Sequence, residues 1–314
     1  MVQAIIRRLL LAIPTIFGAT LAIFLLLHLG PGDPAVIAVG EEGASIEAIE
    51  RVREEMGLND PMLVQYGRML GDYARGDLGE SLFSSETVGR SIAQRLAPTA
   101  SLAFGGLLLG VLFAIPMGIL AAAKVGSKID RAVIWFSTLG IASPPFFIGL
   151  MVVLVFRETF LPATGYRPMA MGIDNWLLHL TLPAFTLSVA VAAQLVRHVR
   201  AAMLKVLDSV YIRTARAKGV SEWLVLTKHA LKNASLTILT VMGTLFQSLV
   251  AGSVAIETVF NVPGIGNLIV RVAVNRDFPM LQGILMFIVF TVVLINITVD
   301  LLYTVLNPRV RSAA

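Results

Sequence analysis

Long apolar runs alternate with polar segments along the whole of this 314-residue chain. Six runs hold at least 21 residues each: 9–29, 99–123, 132–156, 176–196, 235–256 and 281–306. A helix rises about 1.5 Å per residue, so about 20 apolar residues cross the roughly 30 Å hydrocarbon core of a bilayer. The pattern therefore predicts an all-α integral membrane protein, with six transmembrane helices in one domain that spans residues 1–314.

The first run is predicted to stay in the protein as a membrane span rather than to be removed as a signal peptide. Arg7 and Arg8 precede it, as basic residues would in either case. Its apolar part is longer than the roughly 7–15 residues usual in a signal peptide, and no small-x-small cleavage site ends it.

Composition agrees with a membrane protein. Hydrophobic residues make up 56% of the chain and charged residues 14%, and the mean hydropathy is +0.81. These values favour one polytopic membrane domain over the two soluble domains that length alone would suggest. The chain has no cysteine, which excludes disulfides, thiolate metal sites and cysteine nucleophiles.

The sequence contains no convincing catalytic pattern. The four histidines are isolated and no His-Glu-x-x-His occurs, so no metal site is predicted. No Gly-x-x-x-x-Gly-Lys-[Ser/Thr] occurs, so P-loop ATP hydrolysis requires another polypeptide. Gly30-Pro-Gly-Asp33 matches the Gly-x-Gly-Asp of intramembrane aspartyl proteases, but Asp33 and Asp300 are expected at opposite membrane faces and cannot form a dyad. We therefore expect a non-catalytic subunit.

Charges are distributed unevenly between alternate loops. With a cytoplasmic N-terminus, the inner segments carry 15 bases and three acids, whereas the outer segments carry 10 bases and 16 acids. Because basic residues concentrate on the cytoplasmic side, both termini are predicted to be cytoplasmic, and the net charge of +5 does not indicate nucleic-acid binding. Asp300 is the single acid within a span, and its burial predicts a basic or hydrogen-bonding partner such as Arg309.

Residues 30–98 are predicted to form a small helical insertion outside the membrane, between the first two spans. Ser45 is placed to cap one helix, which Gly57 ends, and Asp60 with Pro61 starts another. Both helices carry apolar residues at helical spacing, and we expect these faces to pack against the outer ends of the spans.

Residues 197–234 form the longest basic interruption between spans. Three bases lie on good helix formers in this loop: Arg213, Arg216 and Lys218. Gly219 then stops the helix, and Ser221 with Glu222 supplies a cap and a first-turn acid for a second helix. The loop is predicted to be a helix, a glycine corner and another helix, although basic residues beside a span also fit an ordinary cytoplasmic loop.

The order Arg213-Thr214-Ala215, Gly219 and Leu231 resembles the EAA loop of binding-protein-dependent ABC importer permeases, which docks into the ATPase subunit. Arg213 and Thr214 replace the Glu and Ala of the wider family, and Lys232 replaces its Pro. This variant is similar to the loop of the peptide and nickel branch. The resemblance implies a set of ATPase-coupling residues: Arg213, Thr214, Ala215, Arg216, Lys218, Gly219, Ser221 and Leu231.

The segment from Glu257 to Gly266 resembles a peptide-permease signature, as do Pro31-Gly-Asp-Pro34, residues 76–82 and residues 306–311. Its proline and glycines favour a short loop that dips back between spans, although an ordinary turn is the alternative. Val259 and Phe260 are expected to be exposed. The resulting prediction is an external gate made of these residues: Glu257, Thr258, Val259, Phe260, Pro263, Gly264 and Gly266.

Taken over the chain, the resemblance implies the first permease subunit of a dipeptide or oligopeptide importer in the bacterial inner membrane, with the type I ABC importer permease fold. Its implied partners are a homologous second permease, two ATPase subunits that bind ATP and Mg²⁺, an extracytoplasmic substrate-binding protein and membrane lipid. The chain itself would hold no cofactor. Transport would follow alternating access, with nickel, opines or glutathione as alternative cargo.

Polar residues within spans are candidates for the lining of a passage. They are Gln194, Gln247 and Ser248, and interhelical hydrogen bonding explains them equally well. An ion-coupled secondary transporter is the alternative from another class, since prolines interrupt several spans. Such transporters use ionisable groups at membrane depth, and here only Asp300 qualifies.

Overall fold

The computed structural model describes residues 2–28, 32–40 and 45–306, and these residues are almost entirely helical. The first helices are α1 (Val2–His28), α2 (Pro34–Val39), α3 (Ile46–Glu55), α4 (Met62–Ala74), α5 (Val88–Ala123), α6 (Lys128–Ala142) and α7 (Pro145–Phe156). After a 3₁₀ turn at Met169–Met171 come α8 (Ile173–Leu207), α9 (Val210–Ala217), α10 (Glu222–Leu224), a π-helix (Val225–Ala230), α11 (Leu231–Gly252), α12 (Val254–Val259), α13 (Ile265–Val274) and α14 (Phe278–Leu306). The all-α prediction is confirmed.

Several of these helices are suited to crossing a membrane. Within the described residues, four are long and apolar enough: 88–123, 173–207, 222–250 and 278–299. The pair α6 and α7 adds a fifth if it counts as one span, and α1 contributes a shorter apolar stretch, Leu10–Leu25. Four of the six predicted spans therefore correspond to helices of membrane-crossing length. The predicted count of six is not reached within the described residues, because the third span is bent and the apolar stretch of the first is shorter.

The third predicted span, residues 132–156, is not one straight helix. Helix α6 ends at Ala142, α7 begins at Pro145, and the two are bent by 100°. The consecutive prolines 144 and 145 explain the break, because each removes a backbone donor and disfavours helical geometry in the residue before it.

The described residues form two compact units, one within 7–97 and 268–293 and the other within 2–6, 98–267 and 294–306. The core of the larger unit surrounds α8, whose buried face includes Leu195, Val199 and Met203. Helix α8 packs against α6, α7 and α11, so it is the central element of this unit.

A stripe of small residues lets α5 approach α8 closely. The stripe repeats every four residues: Gly106, Gly110, Ala114, Gly118 and Ala122. A Cβ at Gly110 would lie 2.5 Å from Val191, and one at Gly118 would lie 2.6 Å from Val199. Small residues at this spacing are typical of helix pairs that associate in membranes, where close van der Waals packing replaces the hydrophobic effect.

The smaller unit contains the helices of the predicted outer insertion. Ser45 accepts a hydrogen bond from the Ala48 amide at 3.1 Å, and Gly57 has a positive φ of 64° after α3, so both helix-end predictions are confirmed. The Tyr66 hydroxyl lies 2.7 Å from Thr20 Oγ1 on α1. The insertion is therefore anchored to the first apolar helix of its own unit.

Residues 76–82, which resemble a peptide-permease signature, are held within this unit by Asp277. Ser81 Oγ donates to Asp277 Oδ2 at 2.6 Å, and the Leu82 amide donates to Asp277 Oδ1 at 3.2 Å. Of the other quoted segments, Pro31 and residues 307–311 lie outside the described residues.

Candidate functional site

The predicted glycine corner of the basic loop is present. Helix α9 ends at Ala217, and Gly219 follows with a φ of 80°. The amide of Val220 donates to the Ala215 carbonyl at 3.2 Å, which closes the turn in the manner of a Schellman motif. Leu231 lies farther along, at the start of α11. A left-handed residue is required at the corner, and glycine adopts this conformation without strain.

Two arginines hold this corner through acidic partners. Arg213 donates to Asp208 Oδ1 at 2.8 Å, and Arg216 makes two bonds to the Glu222 carboxylate at 2.6 and 3.0 Å. The bond to Glu222 raises the pKa of Arg216 above its usual value. Ser221 precedes the second helix, but its side chain makes no capping bond, so the predicted cap is wrong. Glu222 instead ties the second helix to the first.

The helix after the corner is irregular, which the sequence did not lead us to predict. Residues Val225–Ala230 form a π-helix before α11 begins. The Tyr211 hydroxyl on α9 accepts from Asn233 Nδ2 at 2.8 Å and lies 3.4 Å from the His229 carbonyl. Helix α9 is thus attached to the first turns of α11, and π-turns of this kind are frequent at functional sites.

Exposed apolar side chains, which were not predicted from the sequence, flank the corner. Val210 is 76% exposed and Trp223 is 72% exposed, beside the exposed bases Arg213 and Lys218. A large apolar side chain rimmed by charges on a polar loop marks an interaction surface. The residue type alone gave no signal for docking, because tryptophan is also enriched at membrane–water interfaces.

The Arg216–Glu222 pair provides a direct test of the corner. We expect Arg216→Glu alone to destabilise the corner by about 1 kcal/mol and the exchanged double variant, Arg216→Glu with Glu222→Arg, to restore most of the loss. Amide hydrogen exchange across residues 210–224 measures the effect. Equal exchange in the single and double variants would contradict a structural role for the pair.

The predicted gate loop is organised around a buried carboxyl group. Glu257 is fully buried, and its Oε1 accepts hydrogen bonds from Thr99 Oγ1 at 2.7 Å and Ser253 Oγ at 2.9 Å. Its Oε2 accepts from the Asn267 amide at 2.8 Å, near the start of α13. Thr99 also accepts from the Ile265 amide at 2.8 Å. One side chain therefore holds both ends of the loop.

The glycines of this loop serve close approach rather than the predicted reversal of the chain. A Cβ at Gly264 would lie 2.4 Å from the Glu257 carboxyl group, and one at Gly266 would lie 2.6 Å from the Val254 backbone. Neither has a positive φ, whereas Asn261 does, at 51°. The Glu257 carboxyl group and the Val254 backbone leave no room for a Cβ atom at these positions, which explains why both need glycine.

The expected exposure of the gate's apolar residues is wrong. Phe260 is fully buried and Val259 is half-buried. Gly149 permits this, because its Cβ position would lie only 3.3 Å from the Phe260 ring. The exposed members of the loop are Thr258, Asn261 and Pro263.

A polar stripe runs along one face of α11 and remains exposed in the chain. It consists of Asn233, Thr237, Thr240, Thr244 and Ser248. The side chains at 240, 244 and 248 donate to carbonyls four residues earlier, which leaves their oxygens free to accept from outside the helix. Ser248, a predicted lining residue, belongs to this stripe.

The other predicted lining residues differ in setting. Gln194 is exposed on α8. Gln247 donates to Asn296 Oδ1 of α14 at 2.7 Å, so the alternative of an interhelical hydrogen bond describes this residue. Asp300 falls within α14, but its side chain and its expected partner Arg309 lie outside the described residues. In the part of the chain that the structure describes, no cluster of acidic and histidine side chains could hold a metal ion.

Comparison with known proteins gives consistent matches. Residues 114–312 match the family described as binding-protein-dependent transport system inner membrane component, and residues 1–103 match its N-terminal counterpart. The probable peptide ABC transporter permease protein y4tP of Sinorhizobium fredii is 44% identical over 309 residues, 98% of each chain. The glutathione transport system permease protein GsiC of Escherichia coli K12 is 39% identical over 311 residues, 99% of each chain.

Solved structures bear on the fold. The methionine ABC transporter MetNI in an inward-facing conformation contains a chain that superposes with a TM-score of 0.58 and 17% identity, covering 69% of this chain and 96% of that one. A second crystal form of MetNI superposes with a TM-score of 0.56 over the same shares. The predicted fold, that of an ABC importer permease, is confirmed.

Proposed function

Because the chain belongs to the family of binding-protein-dependent transport system inner membrane components, we propose that it forms half of an ATP-driven passage for dipeptides or oligopeptides. It is a non-catalytic membrane subunit. The other half of the passage would be a homologous second permease, and the passage would lie between the two.

The observation that carries this proposal is the polar stripe of α11. The helix is long and apolar enough to cross a membrane, yet one face presents an asparagine and four hydroxyls. If this face contacted hydrocarbon, the side-chain oxygens of the stripe would lose their hydrogen bonds to water. If it lines a wet passage, they keep these hydrogen bonds. A second permease subunit that shields the stripe from lipid would supply this environment.

The glycine corner at Gly219 supports the proposal that separate ATPase subunits supply the energy for transport. We propose that the corner docks into an ATPase through two exposed apolar anchors, Val210 of α9 and Trp223 of α10. Closure of two ATPases on ATP would then displace α9, and the Tyr211 contacts with α11 would carry the displacement to the helix that bears the stripe. The passage would open alternately to each side of the membrane.

We assign the gate loop to the outer face of the membrane, where a binding protein would deliver the cargo. The three exposed residues of the gate loop, Thr258, Asn261 and Pro263, would contact an extracytoplasmic substrate-binding protein, and the segment from Glu257 to Gly266 would close the passage. Both termini and the loop 197–234 would be cytoplasmic, with residues 30–98 as the extracytoplasmic insertion, as the charge distribution favours.

Peptide is the preferred cargo because the y4tP relative is named as a peptide permease. The 39% identity to GsiC, named for glutathione transport, favours glutathione as the second candidate. Both compounds are short chains joined by amide bonds, so the same polar lining suits either of them. The binding protein would set most of the selectivity between them.

Uptake by the reconstituted complex tests the proposal. We expect uptake of a radiolabelled tripeptide to stop when the ATPase subunits carry an inactivating substitution and to persist when ionophores collapse ion gradients. The reverse pattern would support an ion-coupled secondary transporter and overturn the proposal.

One substitution tests the stripe within this assay. We expect Thr244→Val to slow uptake about threefold, because the isosteric side chain removes one acceptor from the passage. The control is Thr138→Val on α6, where an exposed threonine also donates to a carbonyl four residues earlier. Equal rates in the two variants would place α11 outside the passage.

A further inference from the structure

A large open cavity lies among α8, α9 and α11. Its volume is about 1060 Å³, and its polar lining residues include Lys205, Ser209, Lys232, Asn233 and Thr237. We call it the lysine cavity. Small-molecule sites usually measure about 300–1,000 Å³, so a short peptide fits in a cavity of this size.

The two lysines give this cavity an uncompensated positive charge. The three acidic side chains of the predicted inner segments each bind an arginine: Asp130 with Arg200, Asp208 with Arg213, and Glu222 with Arg216. Neither Lys205 nor Lys232 makes an ion pair within the described ranges, and both are exposed. Because these acids are paired with arginines, the charges of the two lysines are not neutralised, and the cavity favours anions.

The lysine cavity is continuous with the polar stripe of α11. Asn233 and Thr237 belong to both, and the stripe continues from them through Thr240 and Thr244 to Ser248. A cargo that moves along the stripe therefore reaches the two lysines at its end. A lipid acyl chain would gain nothing from a row of hydroxyls, so the continuity favours cargo over an anionic phospholipid as the occupant.

We propose that the lysine cavity is a transient site for the terminal carboxylate of cargo at the inner end of the passage, an inference that rests on the proposed function. Lys205 and Lys232 would bind the carboxylate, while Asn233 and Thr237 would hydrogen-bond the adjacent peptide groups. Exposed ion pairs of this type are weak and screened by salt, so cargo is guided to the exit without being trapped.

The electrostatic part of the proposal is testable without transport, since the native chain has no cysteine. Thr237→Cys places one thiol in the cavity of the assembled, nucleotide-free complex, and labelling is read on this chain after the subunits are separated. We expect an anionic methanethiosulfonate to label this thiol faster than a cationic one does. The ratio of the anionic to the cationic labelling rate should fall about fivefold when Lys205→Gln and Lys232→Gln are added. The matched control, Lys124→Gln with Lys228→Gln, removes two exposed bases that do not line the cavity. An equal fall in the control would overturn the proposal.

The carboxylate itself is tested by protection of the same thiol. We expect trialanine to slow labelling at least threefold more than trialanine amide in the wild-type background, with the difference lost in the Lys205→Gln, Lys232→Gln variant and regained with arginine at both positions. Equal protection by the two peptides would overturn the inference, as would protection by phosphatidylglycerol nanodiscs alone. Failure of ATP-dependent uptake in the wild-type complex would instead overturn the proposed function, so the two failures are distinguishable.

Discussion

Replacing Glu257 with alanine is expected to destabilise the permease by about 3 kcal/mol and to abolish a fixed gate loop. The substitution leaves the buried Thr99 and Ser253 hydroxyls and the half-buried Asn267 amide without their acceptor. Each unsatisfied buried donor costs about 1–3 kcal/mol, and the missing side chain adds a cavity. Thermal unfolding of the assembled complex at one scan rate measures the loss.

Two further variants define the origin of this effect. Glu257→Gln keeps the shape but turns one acceptor into a donor, so we expect an intermediate cost of about 1–2 kcal/mol. Glu47→Ala, which removes an exposed glutamate, is the control and should leave unfolding unchanged. Unfolding of Glu257→Ala at the control temperature would show that the gate loop is held by other contacts.

Gly219→Val is expected to uncouple the permease from its ATPases while leaving it inserted and folded. A Cβ at this position would meet no atom within 4 Å, so the effect comes from the backbone alone. With φ at 80°, a β-branched residue adds strain of about 1–2 kcal/mol and reduces the population of the native corner about tenfold. Substrate-stimulated ATP hydrolysis and co-purification of the ATPase subunits report the loss.

The matched control for this variant is Gly76→Val. Gly76 has a φ of 85° and equally free surroundings, so the strain is the same, but it follows α4 in the other unit. We expect Gly76→Val to retain stimulated hydrolysis. If Gly219→Val also retained it, the loop 197–234 would be an ordinary basic loop and α9 would not transmit force.

The parts of the fold that the sequence predicted are those set by local chemistry. Long apolar runs mark membrane helices because the bilayer fixes their length, and the Ser45 cap and the Gly219 corner follow from the preferences of single residues. The break at 143–145 is a different case. The sequence contains two prolines there, but apolar residues continue on both sides of them. The apolar pattern therefore predicts one span where the structure has two helices.

The site was harder to predict because its contacts join residues that are distant in the chain. Glu257 meets Thr99, which lies 158 positions earlier, so neither residue alone indicates a buried hydrogen-bond network. Phe260 was expected to be exposed because it lies in a predicted outer loop, whereas the space left by Gly149, far away in the chain, accommodates its ring in the core. At the corner, Ser221 has the residue type of a cap but makes no capping bond, and the Arg216–Glu222 pair joins the two helices instead.

The small-residue stripe between α5 and α8 has a mechanical consequence. Contact at 2.5–2.6 Å from the missing Cβ atoms leaves no room for one helix to slide along the other, because a shift of one residue would bring larger side chains into the gap. The two helices are therefore expected to move together as one rigid unit. Any relative movement of helices in this unit then has to occur at other helix surfaces.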